Sequence, residues 1–137
     1  MQVEVFAICD AATSENGKLN ILGAFDTIWV RQFPAVYPHC AVAVKMRFDA
    51  IENGAHAVVT RIIDQDGKNV LPPATGSFNV NMPENQRSAS TDIVLNIQGL
   101  NLAKPGEYAL ELAVDSRSEI SLPLYIRQHP PVSGGVS

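Results

Sequence analysis

Asp64 and Asp66 bracket Gln65 at the tip of a predicted hairpin, and Asp26, Asp49 and Asp115 fall near other predicted strand ends. Carboxylates gathered at one end of a β-domain would offer the clustered oxygen ligands that calcium prefers. The run Asp-Gln-Asp-Gly is only a fragment of such a site, because the longer ligand pattern of an EF-hand loop is missing. Aspartate also suits turns on its own account: its side chain bonds to local backbone and it tolerates unusual φ. The turn role is the expected one for all five residues, so no metal and no other cofactor is assigned.

Nucleophilic chemistry has fewer candidates. His39 directly precedes Cys40, and His56 lies in another predicted strand. Neighbours on an extended chain point to opposite faces, so His39 is badly placed to activate Cys40, and if Cys40 enters the core His39 faces out. His56, between Ala55 and Ala57, reads as an exposed or turn-adjacent histidine. His129 falls in a predicted tail. The sequence contains no Gly-x-Ser-x-Gly elbow, no glycine-rich phosphate loop and no CxxC pair. No catalytic residue is assigned, and the chain is read as a non-enzyme. Two cysteines, Cys9 and Cys40, allow one disulfide in principle, but both sit in apolar, strand-like surroundings and are expected to be buried free thiols.

Trp29 is the single tryptophan. If Ile28 and Val30 face a core, Trp29 and Arg31 face out, and an exposed tryptophan beside an arginine is the kind of pair that anchors an interface. The competing reading covers Trp29 with a loop, as tryptophans are mostly buried. Phe33, Pro34, Tyr37 and Pro38 extend the segment, either as the rim of a binding surface or as the clamp of a long crossover loop.

The elements that position these residues follow from period-two patterning. Tyr108, Leu110, Leu112 and Val114 share one face of a strand, and Ile120, Leu122, Leu124 and Ile126 share one face of the next, joined by a turn at Asp115 to Ser118. Further strands are expected at 2–9, 18–26, 27–31, 41–49, 55–64, 69–71, 74–80 and 90–97. Asn16-Gly17 and Asp66-Gly67 supply the positive φ that tight hairpins need. Asn53-Gly54 and Lys104-Pro105-Gly106 are read as further reversals, and 81–87 as a crossing between sheets. Pro123 cannot donate a ladder hydrogen bond, which predicts an edge or a bulge there. With no helical period, the pattern gives an all-β, antiparallel β-sandwich, immunoglobulin-like in general architecture, with a closed barrel as the competitor. Residues 1–127 form its single domain and 128–137 a flexible tail.

Composition narrows the function classes. The chain has 137 residues, 46% hydrophobic and 18% charged, with ten Lys and Arg against fourteen Asp and Glu. That length suffices for one core without disulfides or metal. The basic residues form no stripe, which argues against nucleic acid. No apolar run approaches about 18 residues, which argues against a membrane span. The first residues read as a strand and not as an export signal, so the cytoplasm is the expected compartment.

The order of short motifs carries a resemblance: Cys9-Asp10, Gly17-Lys18-Leu19, Gly23-Ala24-Phe25-Asp26, Phe33-Pro34 and Pro105-Gly106-Glu107-Tyr108. The chain resembles, up to about Arg127, a family of small bacterial single-domain β-sandwich proteins of unknown function. That resemblance implies the fold and transfers no site residues. The resulting expectation is a small interaction or accessory module acting through its surface, by edge-strand pairing or through the Trp29 to Tyr37 segment. Its partner is an unknown protein or a second copy. The first strand is apolar on both sides, with Phe6 and Ile8 opposing Val5, Ala7 and Cys9, so it is either central and covered twice or lies at a subunit contact, which a homodimer would supply. The alternative is a ligand-binding sandwich, with calcium at the Asp-bearing loops or a small molecule between the sheets.

Overall fold

The computed structural model describes residues 1–130. Along them run strands β1 (Gln2–Glu15), β2 (Lys18–Phe25), β3 (Thr27–Val30), β4 (Ala35–Asp49), β5 (Gly54–Ile63), β6 (Ala74–Val80), β7 (Ser88–Leu102), β8 (Gly106–Val114) and β9 (Arg117–Gln128). They form a four-stranded sheet in the order β2-β1-β4-β7 and a five-stranded sheet in the order β3-β9-β8-β5-β6. Every pairing is antiparallel except that of β3 with β9, which run parallel. The expected all-β sandwich is therefore present, and the only helical piece among the described residues is a 3-10 turn at Ala50–Glu52. Both sheets keep open edges, so the barrel alternative falls.

Alternation builds the core. Tyr108, Leu110, Leu112 and Val114 of β8 and Leu124 and Ile126 of β9 are buried against Cys40, Val42, Val44, Met46 and Phe48 of β4. Each large aliphatic or aromatic side chain removed from water in this way contributes about 1.5–3 kcal/mol. Asn16 and Gly17, at φ 52° and 71°, make the left-handed pair of the β1–β2 hairpin, and Asp115 and Ser116, at φ 50° and 66°, do the same between β8 and β9.

Other turns were legible but their consequence was not. Asn53-Gly54 and Lys104-Pro105-Gly106 lead from the four-stranded to the five-stranded sheet, so they are crossings and not hairpin reversals. Residues 81–87 cross back, as expected. At Asp66-Gly67 the chain does reverse, with Asp64 N donating to Lys68 O at 2.9 Å, but the predicted strand at 69–71 shrinks to one bridge, Asn69 with Ile63.

The largest correction concerns Pro34 to Pro38. Strand β4 begins at Ala35, and its ladder with β7 runs from Ala35↔Leu102 to Asp49↔Ser88, missing a pair only at Pro38 and Gly99. Gly99 sits at φ 78°. Around that position the inward-facing side changes phase: Tyr37, Leu100 and Leu102 pack inward before it, and Cys40, Val42, Leu95 and Ile97 after it. Such an unpaired position, at which neither strand gains a residue, breaks strict alternation, which is why sequence patterning began β4 too late, at 41, and ended β7 too early, at 97. Pro123 fits its expectation in a local sense. Tyr125 N donates to Asp26 O across the β3 flank, and Pro123 presents its nitrogen to the same flank, beyond the reach of β3, which covers only Tyr125 to Gln128.

Gln128 closes β9, and His129 N donates to Val30 O at 2.8 Å, so the start of the predicted tail is held. Its remainder, 131–137, lies outside the described residues.

Candidate functional site

The five aspartates do not converge. Asp115 lies at the start of β5, where Ala57 N donates to its Oδ1, whereas Asp64 and Asp66 follow the opposite end of that strand. Asp49 ends β4 beside the 3-10 turn, and Asp26 marks the passage from β2 to β3. Their oxygens serve local backbone and neighbours: Asp64 Oδ1 accepts from Asp66 N and Lys68 N at 2.9 and 3.0 Å, and Asp66 pairs with Lys104 Nζ at 3.2 Å. The Lys68 and Asp66 amides hold the Asp64 carboxyl below the usual carboxylate range. Among the described residues no group of three or more His, Cys, Asp or Glu is arranged to hold a metal ion.

Cys9 and Cys40 are buried free thiols, as expected. They lie on neighbouring strands, but Cys9 pairs with Ala41, so Cys40 points to the other face, into the core. Burial pushes the Cys40 thiol up to about 11, and it raises Cys9 as well. Neither supplies thiolate near neutral pH. His39 is exposed, on the face opposite Cys40, with its Nδ1 at 3.2 Å from Gln98 Nε2.

His56 departs from the sequence reading. It is turn-adjacent but not exposed: its side chain retains 11% of its accessibility, held beside the rings of Phe48 and Phe78 with centroids at 4.8 and 5.7 Å. Nδ1 lies 2.6 Å from Asp115 Oδ2, and Nε2 lies 2.6 Å from the carbonyl oxygen of Glu52. Both partners are acceptors, so this geometry favours the doubly protonated ring, in which both nitrogens donate. The bond to Asp115, and after it the Glu52 carbonyl, raise the His56 pKa, and the same His56 bond lowers that of Asp115. A histidine and aspartate at this distance resemble a catalytic dyad. With both nitrogens engaged, the ring joins β5, the 3-10 turn and the β8–β9 turn as a clamp.

The other constellation is open. In β3, Ile28 turns inward at 3% exposure and Trp29 outward at 51%. The parallel register sets Trp29 beside Arg127, whose guanidinium carbon lies 4.9 Å above the centroid of Tyr125. His129 stacks on Trp29, with centroids 5.4 Å apart and planes inclined by 24°. Trp29, Pro105, Glu107, Tyr125 and Arg127 line a shallow groove of about 590 Å³. The surface thus offers two aromatic faces, one cation and one carboxylate on adjacent strands. Such a set suits recognition, because rigid rings contribute large contact area at low entropy and arginine adds directional donors.

Residues 4–127 match DUF6941, a family of unknown function. The chain belongs to that family. No curated protein matches it.

In this DUF6941 chain the arginine beside Trp29 is not the one the sequence suggested. Arg31 lies past the end of β3, where its carbonyl accepts from Gln128 Nε2 at 3.1 Å, and the arginine beside Trp29 is Arg127. Tyr125, Arg127, Glu107 and His129 were not singled out as site residues. Their signal was present in part: Tyr125 and Arg127 occupy the face of the last strand opposite Leu124 and Ile126. Phe33 and Tyr37 form no rim, since both pack against the core, with Tyr37 Oη donating to Asp10 Oδ1 at 2.9 Å. Burial, then that carboxylate, push the Tyr37 hydroxyl up to about 12. Among the described residues no helix is long and apolar enough to cross a membrane.

Proposed function

We propose that this DUF6941 protein is a non-catalytic accessory module, immunoglobulin-like in general architecture, that binds a partner protein through the Trp29 corner of its five-stranded sheet. The observation that carries this reading is the half-exposed indole of Trp29, fixed on a strand and flanked by Arg127, Tyr125 and His129. Interface energy concentrates in residues of these types. Support for a role without catalysis comes from the side chains that would otherwise supply it: His56 has both nitrogens committed, and both thiols are buried and protonated. Two free thiols also accord with a reducing compartment such as the cytoplasm.

The test is capture from extract of the native cell with wild type, Trp29→Ala, Arg127→Ala and, as control on the other sheet, Leu22→Ala. A partner retained by wild type and Leu22→Ala but lost by Trp29→Ala supports the reading. Solution mass against concentration covers the case in which the partner is a second copy, since Trp29→Ala should then stay monomeric where wild type associates. A partner or an oligomer that persists unchanged in Trp29→Ala overturns the proposal.

A further inference from the structure

A second site, independent of the Trp29 corner, lies between the sheets. The inner face of β5 reads Val58, Thr60, Ile62, a hydroxyl in an otherwise apolar row. Thr60 is 5% exposed, and its Oγ1 is a buried side-chain oxygen with no hydrogen-bond partner among the described residues. Valine has nearly the same shape and would fill this place without stranding a polar atom, so an unpaired hydroxyl here calls for a partner beyond the described residues.

Thr60 lines a cavity of about 350 Å³, together with Val42, Ile62, Leu71, Leu95 and Ile97. That volume falls within the range of small-molecule sites, which are mostly apolar with a few placed polar groups. The cavity opens along β7, which pairs only with β4 among the described residues, and the neutral amides of Asn96 and Gln98 also border it. No charged side chain lines it.

We infer that this inter-sheet cavity binds a neutral, mainly aliphatic molecule carrying one hydroxyl or carbonyl oxygen, which pairs with Thr60 Oγ1 after the side chain turns about χ1, because that oxygen is closed to water as it stands. The apolar walls exclude an ion, because a charge placed there would lose its hydration without an opposite charge to replace it. They also disfavour a polyol, whose remaining hydroxyls would go unpaired. A linear alcohol of medium length meets both conditions, with its chain against Leu71, Leu95 and Ile97.

The test uses 1-hexanol and xenon as probes, followed by methyl NMR of Val42, Ile62, Leu95 and Ile97. Saturable shifts of these methyls with 1-hexanol are expected in wild type. Thr60→Val should weaken hexanol about threefold to tenfold, the worth of one hydrogen bond, while leaving xenon, which needs none, unchanged or tighter. Thr60→Ser keeps the hydroxyl and should keep hexanol affinity within about threefold, well short of the loss of the bond. Absence of saturable methyl shifts in wild type overturns the site. Equal hexanol affinity in wild type and Thr60→Val overturns the role of Thr60. Neither result bears on the Trp29 surface, which is read by partner capture.

Discussion

His56 and Trp29 are both aromatic side chains beside a charged partner, and their surroundings give them opposite uses. His56 lies nearly out of water, with two rings beside it and an acceptor at each nitrogen. Trp29 keeps half its surface exposed, and its flank of Arg127 and Tyr125 stays open. The residue with the richer chemical repertoire is spent on structure, and the one with no titratable group keeps its face open. Availability, and not reactivity of the side chain in isolation, decides which of the two could serve as a site.

This contrast is most directly broken by truncation. His56→Ala removes a packed ring and strands both Asp115 and the Glu52 carbonyl, and should lower unfolding free energy by about 3 kcal/mol in urea titration. A loss below about 1 kcal/mol would show that the clamp does not hold β5 to its two turns.

Asp115→Asn tests the electrostatic half of the clamp. Its loss should be about 1–2 kcal/mol near pH 5.5, where one charged hydrogen bond is replaced by a neutral one. The sign with pH follows from the two shifts. His56 has its pKa raised on folding, so its contribution is full below the ordinary value of about 6.5 and fades as pH rises through the folded value. Asp115 has its pKa lowered, so its contribution is present above about 3.9 and fades as pH falls through the folded value. Urea midpoints of wild type and His56→Gln, followed from pH 5 upward, should therefore converge as pH rises. A constant gap would assign the ring to packing alone.

Trp29→Ala sharpens the other side. Its effect on stability should stay near or below about 1 kcal/mol, as for a surface position, while partner capture is lost. Arg127→Ala should be smaller still in stability, about 0.5 kcal/mol, and should weaken capture without abolishing it. If Trp29→Ala unfolds the protein as readily as His56→Ala, the two corners are alike and the contrast fails.

How much of each corner could be read beforehand depends on sequence separation. That Trp29 faces out of β3 was legible on the condition that Ile28 and Val30 face the core, as their alternation allows, and its 51% exposure removes the competing reading of a covering loop. Its neighbour was not: Arg31 is two residues away and Arg127 is far along the chain, and only the parallel pairing of β3 with β9 brings the latter beside it. The burial of His56 was missed for the same reason. Flanking alanines say nothing of Phe48, Phe78 and Asp115, which reach it from β4, β6 and the β8–β9 turn.

An unpaired position in the β4–β7 ladder marks a second boundary. Alternation identified β8 and β9 nearly residue for residue, but it lost Ala35 to Cys40 and Gln98 to Leu102, where the inward face shifts by one position at Pro38 and Gly99.

The sequence by itself determined that this chain is all β, where it bends and which faces are dry, because those properties are set by the period of the side chains and by local turn chemistry. The tertiary structure decided which bends join sheets, which carboxylate meets His56, which arginine stands beside Trp29 and that Thr60 faces a cavity. Those outcomes depend on strand order and register, which are settled by the packing of two sheets against each other and leave no periodic trace in either strand alone.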